Sequence, residues 1–409
     1  MKRFLSLVLF LLATSAFAGD KPFLFQKGDR VTFLGDSITA QYQYSSDIEL
    51  YLTTRFPEYK IVFLNAGIGG DTANGGAGRF QSSVLDDKPT VVTINFGMND
   101  AGYGKFNPAA NKVYVEKTAA MLAAAKAAGV RVAVVSPNAV DRRNRENFKL
   151  YVETQKEFYA PLKDVSAAGG ALFVDQYATT RAALEKMEAD KADKVVPFGD
   201  GFHTSSPGGL LMAHAILTGL NAPAKVTSAT VDAAAKQGDG VRCKIENITA
   251  ADGGVSFDRT DEIIPMPVSP DWVSLLPYVN NLKDLNDYGL KVTGLAAGNY
   301  EVLMDGKRVM TATAEQLAAG VNLGLATTGP VYDQGKKVSD AINAKNQLVN
   351  DRFFNVIRFN APAWLADVVA ERKPAELKKR LAMIEEKQAA IYEMLKPVTH
   401  KVDVKMVSK

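Results

Sequence analysis

Between about residues 30 and 220 the chain alternates short apolar runs with helix-patterned stretches. Arg30 to Asp36 is an apolar run ending at Gly35-Asp36-Ser37, and a helical stretch over about 45–56 follows and closes at Phe56-Pro57. Lys60 to Ile68 reads as the second strand and leads into a glycine-rich loop from Gly67 to Gly78. Thr90 to Phe96, with Val91, Val92, Thr93 and Ile94 in succession, is the third, and Val130 to Val135 the fourth. Between them, Ala109 to Ala128 is alanine-rich and stops at Gly129, as helices do. A further helix is expected from about Asn147 to Ala168, with Gly169-Gly170 introducing a fifth strand, Ala171 to Asp175. The strand runs are continuously apolar rather than alternating, so both of their faces must be covered. That implies a parallel sheet between two helical layers, an α/β sandwich.

Around Asn221-Ala222-Pro223 the pattern changes. Residues 225–311 lose helical periodicity and gain alternation, at Val241 to Ile245, Leu290 to Thr293 and Tyr300 to Leu303. Met304-Asp305-Gly306-Lys307 reads as a hairpin turn, since Asp-Gly accepts positive φ. Helical patterns return at Ala314 to Ala319, Lys337 to Phe354 and Pro374 to Leu395. The expected division is a leader (1–18), an α/β domain (19–222), a β-rich extension (223–311) and a helical region (312–409) packing on the body.

Residues 1–18 read as a secretory signal: Lys2 and Arg3, an apolar run from Phe4 to Leu12, then Ala16-Phe17-Ala18 as cleavage site. The run is shorter than the about 20 residues needed to cross a bilayer. Export with cleavage after Ala18, to periplasm or medium, is therefore expected, with no stable membrane insertion. The formal charge of +3 falls to +1 without the leader's two cations, which gives no electrostatic reason to propose nucleic acid as a partner. Cys243 is the single cysteine, so no internal disulfide can form. Its alternating surroundings, Val241 to Ile245, point to a strand position rather than a nucleophile.

In open parallel sheets ligands bind at the carboxyl ends of the strands. The first strand ends at Gly35-Asp36-Ser37-Ile38, the second at Gly67-Ile68-Gly69-Gly70 and the third at Gly97-Met98-Asn99-Asp100. If the strand order is 2-1-3, a hydroxyl, a glycine backbone and a carboxamide converge. Asp200-Gly201-Phe202-His203, in a polar loop just before an apolar helix, adds an imidazole with an aspartate three residues earlier. Of the other two histidines, His214 falls inside that helix and is expected to be packed, and His400 lies near the carboxyl end.

These four blocks, in this order, resemble the SGNH (GDSL-type) lipases and esterases, with Asn65-Ala66-Gly67-Ile68-Gly69-Gly70-Asp71-Thr72 as the second. The resemblance covers about residues 28–220. It implies a flavodoxin-like three-layer α/β/α sandwich with strand order 2-1-3-4-5, followed here by the β-rich and helical extension. It also implies a serine esterase that needs no metal or cofactor, with Ser37 as nucleophile, His203 as base and Asp200 orienting it. The oxyanion donors would be the backbone N–H groups of Ser37 and Gly70 and the side-chain amide of Asn99. Asp36 and Asp71 are expected to brace loops, since a third carboxylate has no task in acyl transfer.

The loops around this site are rich in glycine, alanine and asparagine, and no long apolar lid is evident. Exported relatives in the family are commonly carbohydrate O-acetylesterases, so an acetylated glycan is the expected substrate. Lysophospholipid or thioester hydrolysis is the alternative within the class. A catalytically weak glycan-binding protein, with Trp272, Tyr278 and Trp364 as stacking platforms, is the alternative outside it. The competing expectation for those aromatics is that they fill the core between domains.

Overall fold

A computed structural model describes residues 23–143, 148–251 and 253–407. The expected leader, 1–18, lies outside the described residues. Five strands, β1 (Arg30–Gly35), β2 (Val62–Gly67), β3 (Val91–Asn95), β4 (Arg131–Val135) and β5 (Leu172–Val174), form one parallel sheet in the order β2-β1-β3-β4-β5. All five residues of β3, the middle strand, are buried. That is why its sequence is mostly apolar, with Thr93 and Asn95 as the polar exceptions. Eight helices accompany the sheet: α1 (Ser37–Ala40), α2 (Gln43–Arg55), α3 (Ala73–Ser83), α4 (Pro108–Ala127), α5 (Lys149–Tyr159), α6 (Leu162–Gly169), α7 (Gln176–Ala189) and α8 (Ser206–Gly219). α2, α7 and α8 pack together as one layer, and α3, α4 and α6 as another. This is the expected α/β sandwich.

One expected helix is divided. Of the expected stretch 147–168, residue 147 lies outside the described residues and the rest forms α5 and α6, because Pro161 lacks the N–H that would bond back into the preceding turn. α7, whose N-cap Asp175 accepts from the Ala178 N–H, was not anticipated from the sequence.

The extension contains two further sheets. β6 (Lys225–Asp232), β7 (Gln237–Val241), β8 (Cys243–Ala251) and β9 (Gly254–Asp261) follow the sandwich. After them come α9 (Asn281–Leu285), β10 (Asp287–Thr293), β11 (Asn299–Met304), β12 (Lys307–Thr313), α10 (Ala314–Ala319) and β13 (Val321–Asn322). The expected single strand from Val241 to Ile245 is broken at Arg242, whose φ of 56° turns the chain from β7, in one sheet, to β8, in the other. Cys243 does lie on a strand, where its thiol donates to the Ser228 carbonyl, and burial pushes that thiol up to about 11. The Asp305-Gly306 turn joins β11 to β12 with both residues at positive φ, as the hairpin requires.

The region 312–409, expected to be helical, ends differently. α11 (Pro330–Arg352) and α12 (Ala366–Glu393) are helices, α12 starting before Pro374 and running through it. The chain then forms β14 (Thr399–Met406), which enters the second extension sheet between β11 and β9. Its alternation buries His400, Val402 and Val404, and His400 Nδ1 lies 2.8 Å from Asp305 Oδ2 at the hairpin. Most of the buried apolar side chains form one cluster running from Leu24 to Val404, so sandwich and extension share a core, and Leu64, Val349 and Ile384 form a small second cluster.

α11 and α12 are fastened to the β2 side of the sandwich by charge as well as packing. Lys345 on α11 and Glu49 on α2, both buried, sit 2.8 Å apart, and Asn346 Nδ2 donates to the same carboxylate at 3.3 Å. Arg352 makes a two-pronged bond to Asp87, and the Tyr392 hydroxyl donates to the Ile61 carbonyl at 2.9 Å. Removing one member of a buried pair leaves an uncompensated charge, at a cost of about 3–5 kcal/mol, whereas neutralising both costs less. Lys345→Met should therefore lower unfolding free energy by about that amount in urea titration. Glu49→Gln combined with Lys345→Met should recover most of it; a Lys345→Met loss under about 1 kcal/mol would show that the pair does not hold α11 in place.

Candidate active site

Ser37 is placed by a turn that only a few residue types can make. Gly35, the last residue of β1, pairs with Gly67 on one side and Asn95 on the other. A Cβ on Gly35 would lie 2.1 Å from Thr39 Oγ1 and 2.6 Å from the Asn95 carbonyl, so no other residue fits without moving β3 or α1. Asp36 then caps α1, its side chain accepting from the Ile38 N–H at 3.0 Å. Ser37, half-buried, becomes the first residue of that short helix, with an N–H that the helix itself cannot satisfy.

The loop after β2 is tied to the same turn. Asn65 donates from Nδ2 to the Thr39 carbonyl and accepts from the Gly67 N–H. Gly70 stands at φ +72°, a conformation that favours glycine, and is exposed. Asp71 beside it is held by Arg79, whose Nε donates at 2.8 Å. The loop after β3 closes onto this one. Asn99 Nδ2 donates to the Asp71 carbonyl at 2.9 Å, while the Tyr103 hydroxyl donates to Asn99 Oδ1 at 3.0 Å. One Asn99 N–H bond direction is thereby used and the amide plane is set, leaving its second N–H to other work. Asp100 accepts from the backbone of Ala73 and of Gly97.

The fourth piece comes from the loop before α8. His203 Nε2 lies 2.7 Å from Ser37 Oγ, and His203 Nδ1 lies 2.6 Å from Asp200 Oδ2. The other oxygen of Asp200 accepts from the backbone N–H groups of His203 (2.8 Å) and Phe202 (3.2 Å). Burial works against the charged carboxylate, but these bonds, led by the one from the imidazole, outweigh it and hold Asp200 below the usual carboxylate range. The Phe202 ring lies 4.4 Å from the imidazole and 4.9 Å from Tyr103, joining the histidine loop to the Asn99 loop. On the opposite side Gln41 Oε1 accepts from the N–H and hydroxyl of Thr204, joining it to the end of α1.

Ser37, His203 and Asp200 thus form one continuous chain of hydrogen bonds, and Gly70 and Asn99 lie on the two adjoining loops. Asp36, Asp71 and Asp100 are each occupied with backbone or arginine donors, as loop braces are. Burial pushes Asp36 up to about 7 and Asp100 up to about 6, with the neighbouring carboxylates adding to both shifts. His214 is packed and faces Asp284, away from this site, and His400 is in β14. Trp272 and Tyr278 are buried, as core residues are, while Trp364 is 79% exposed. Gln41, Tyr103 and Phe202 were not singled out from the sequence, since their contacts join segments far apart in the chain. Among the described residues no cluster of three or more His, Cys, Asp or Glu could hold a metal ion, and no helix is long and apolar enough to cross a membrane.

Known proteins resemble this chain in sequence and in fold. The GDSL-like lipase/acylhydrolase family matches residues 33–209. The thioesterase 1/protease 1/lysophospholipase L1 of Escherichia coli (strain K12) is 29% identical over 137 residues, covering 33% of this chain and 65% of that protein. An uncharacterized lipoprotein, YqeF, of Bacillus subtilis (strain 168) is 58% identical over only 38 residues, 9% of this chain and 16% of its own length. The chain thus spans less than two thirds of these curated relatives. Among solved structures, a gut microbial diltiazem-metabolizing enzyme superposes with a TM-score of 0.82 at 26% identity, over 95% of this chain and 99% of its own. That likeness takes in the extension as well as the sandwich. The stretch that carries Ser37, Gly70, Asn99, Asp200 and His203 is the stretch the family matches, and residues 33–209 form a GDSL-like lipase/acylhydrolase domain.

Proposed function

We propose that the chain is an exported serine esterase that removes acetyl groups from carbohydrate, with Ser37 as nucleophile, His203 as general base and Asp200 orienting the ring. The observation that carries the reading is the relay from Ser37 Oγ through both ring nitrogens of His203 to Asp200, with links of 2.7 and 2.6 Å. A serine hydroxyl attacks an acyl carbon only when a base removes its proton. His203 Nε2 takes it, and the Nδ1–H donated to Asp200 fixes the tautomer and stabilises the imidazolium. The imidazolium then returns the proton to the leaving alcohol, and water repeats the cycle on the acyl-enzyme. The oxyanion is held by the N–H groups of Ser37 and Gly70 and by the free amide hydrogen of Asn99.

The openness of the site supports a small acyl group on a polar alcohol. Gly69 and Gly70 are exposed, with nothing within 4 Å of where a Cβ would stand, so this side of the site is open rather than lidded. The recurrence of sandwich and extension together in a diltiazem-metabolizing enzyme favours catalysis over glycan binding alone. The name of the E. coli relative keeps thioester and lysophospholipid hydrolysis as the competing reading.

Ser37→Ala should abolish ester hydrolysis and labelling by a fluorophosphonate while leaving the circular-dichroism spectrum unchanged. On p-nitrophenyl esters of increasing length the native enzyme should favour acetate; a preference for octanoate or longer would transfer the assignment to the lipid or thioester class. Asn99→Ala should lower kcat by about 10²–10³-fold with KM little changed; equal turnover would remove Asn99 from the oxyanion site. Asp36 offers a pH test. Its folded value of about 7 lies above that of an unfolded aspartate, so the folded protein binds the extra proton and loses stability as pH rises from about 4 to 7. Asp36→Asn keeps the cap acceptor. Its stability relative to the native protein should rise across that interval and level off above it, as read by urea denaturation at each pH; a flat difference would refute the buried-proton account.

A further inference from the structure

Between α2 and α11, one short helix away from Ser37, lies a cavity of about 570 Å³ that the acyl chemistry does not use. Its lining has an unusual composition. On α11, Ser339, Asn343, Asn346, Gln347 and Asn350 line the cavity, spaced by three and four residues so that they share one face of the helix. Every one is a hydroxyl or a carboxamide, although the same helix carries Lys336, Lys337, Asp340, Lys345, Asp351 and Arg352. The facing wall is Gln41, Gln43, Ser46 and Asp47, from the end of α1 and the start of α2. Ser206, Ser269 and Trp272 also border it, the buried indole donating from Nε1 to Ser206 Oγ at 3.1 Å.

That lining selects among ligand chemistries. No lysine, arginine or histidine borders the cavity, so a phosphate or a uronate would enter without a counter-charge. Ala40, Leu50 and Ile342 are the aliphatic members of the lining, too few to cover an acyl chain, which would leave the amides dry. Carboxamides and hydroxyls each both donate and accept, which matches the vicinal hydroxyls of a sugar ring. Asp47 is the one carboxyl side chain in the lining, which Tyr42 also borders; burial, and then the like charge of Asp271, push that carboxyl well above the usual range, which favours its protonated, donating form. The volume falls in the usual range for small-molecule sites, roughly 300–1,000 Å³.

The cavity also adjoins the candidate active site. Gln41 lines it and at the same time accepts from both Thr204 donors, immediately after His203. Lys345, Asn346 and Glu49 hold the α11 wall in place from beneath, and Asn346 Nδ2 reaches Ser46 Oγ across the cavity base at 3.1 Å. We infer that this cavity is a subsite for uncharged sugar residues neighbouring the one that carries the scissile ester, so that the substrate is a neutral oligo- or polysaccharide chain. The inference rests on the esterase reading above for what happens at Ser37, but not for binding.

Calorimetric titration of Ser37→Ala with xylohexaose, cellohexaose, mannohexaose and oligogalacturonate tests it without turnover. At least one neutral hexasaccharide should bind and the oligogalacturonate should not. Adding Asn343→Ala and Gln347→Ala to the same protein, with its melting temperature unchanged, should weaken that binding by about tenfold or more. Failure of all three neutral chains to bind, tighter binding of the oligogalacturonate, or undiminished affinity in the triple variant would each overturn the subsite. Hydrolysis of p-nitrophenyl acetate by the native protein reads the esterase assignment separately. Binding without hydrolysis would sink that assignment and spare the subsite, and hydrolysis without binding would do the reverse.

Discussion

The register of the central parallel strands decides where the chemistry can be. Gly35 at the end of β1 lies opposite Gly67 of β2 and Asn95 of β3, so the three loops that follow leave the sheet at one level. A hydroxyl, a glycine-rich backbone and a carboxamide are thereby delivered side by side, from segments about thirty residues apart. A slip of one position in either pairing would lower one loop and turn its side chains to the other face. The close packing of Gly35 against Thr39 and the Asn95 carbonyl leaves little freedom for such a slip.

The imidazole arrives from outside the sheet and therefore needs its own fixings. The loop before α8 is closed by a bridge between Phe198 and Thr204, by the Gly199 N–H on the His203 carbonyl, and by the Asp141 N–H on the Gly201 carbonyl. Asp200 adds three hydrogen bonds within four residues, two to backbone and one to the ring. Gln41 and Phe202 then attach this loop to the ends of α1 and of the Asn99 loop. In the proposed role of base, an imidazole orientated in this way would not have to find its geometry during reaction, which is where much of the advantage of a preorganised site arises. The extension contributes at a distance. Its terminal helices, joined through the Lys345–Glu49 pair and Arg352–Asp87, form one wall of the amide-lined cavity next to the relay.

The legible part of the sequence was the part whose signal is local. Continuous apolar runs identified the five sandwich strands to within a residue or two, because a strand covered on both faces has no polar side to show. Asp305-Gly306 identified its hairpin, since few residue pairs tolerate that backbone. β14 escaped because its alternating His400, Val402 and Val404 follow a long charged helix and find partners, β9 and β11, some 100 to 150 residues earlier. Arg242 was read through as strand because a left-handed turn at an arginine has no sequence signature.

By itself the sequence determined the types of element, the α/β sandwich and the candidate site: the side chains of Ser37, Asn99, Asp200 and His203 and the backbone of Gly70 stand in four compact blocks of the kinds that acyl transfer uses. The tertiary structure alone decided that the imidazole at 203 meets the hydroxyl at 37, that Tyr103 orients Asn99, and that the amide face of α11 stands opposite α2 beside the site. The reason is one of range. Periodicity and turn preference are set by neighbours a few residues apart, whereas the distance between two loops, or between a helix and a cleft, depends on how every layer between them packs.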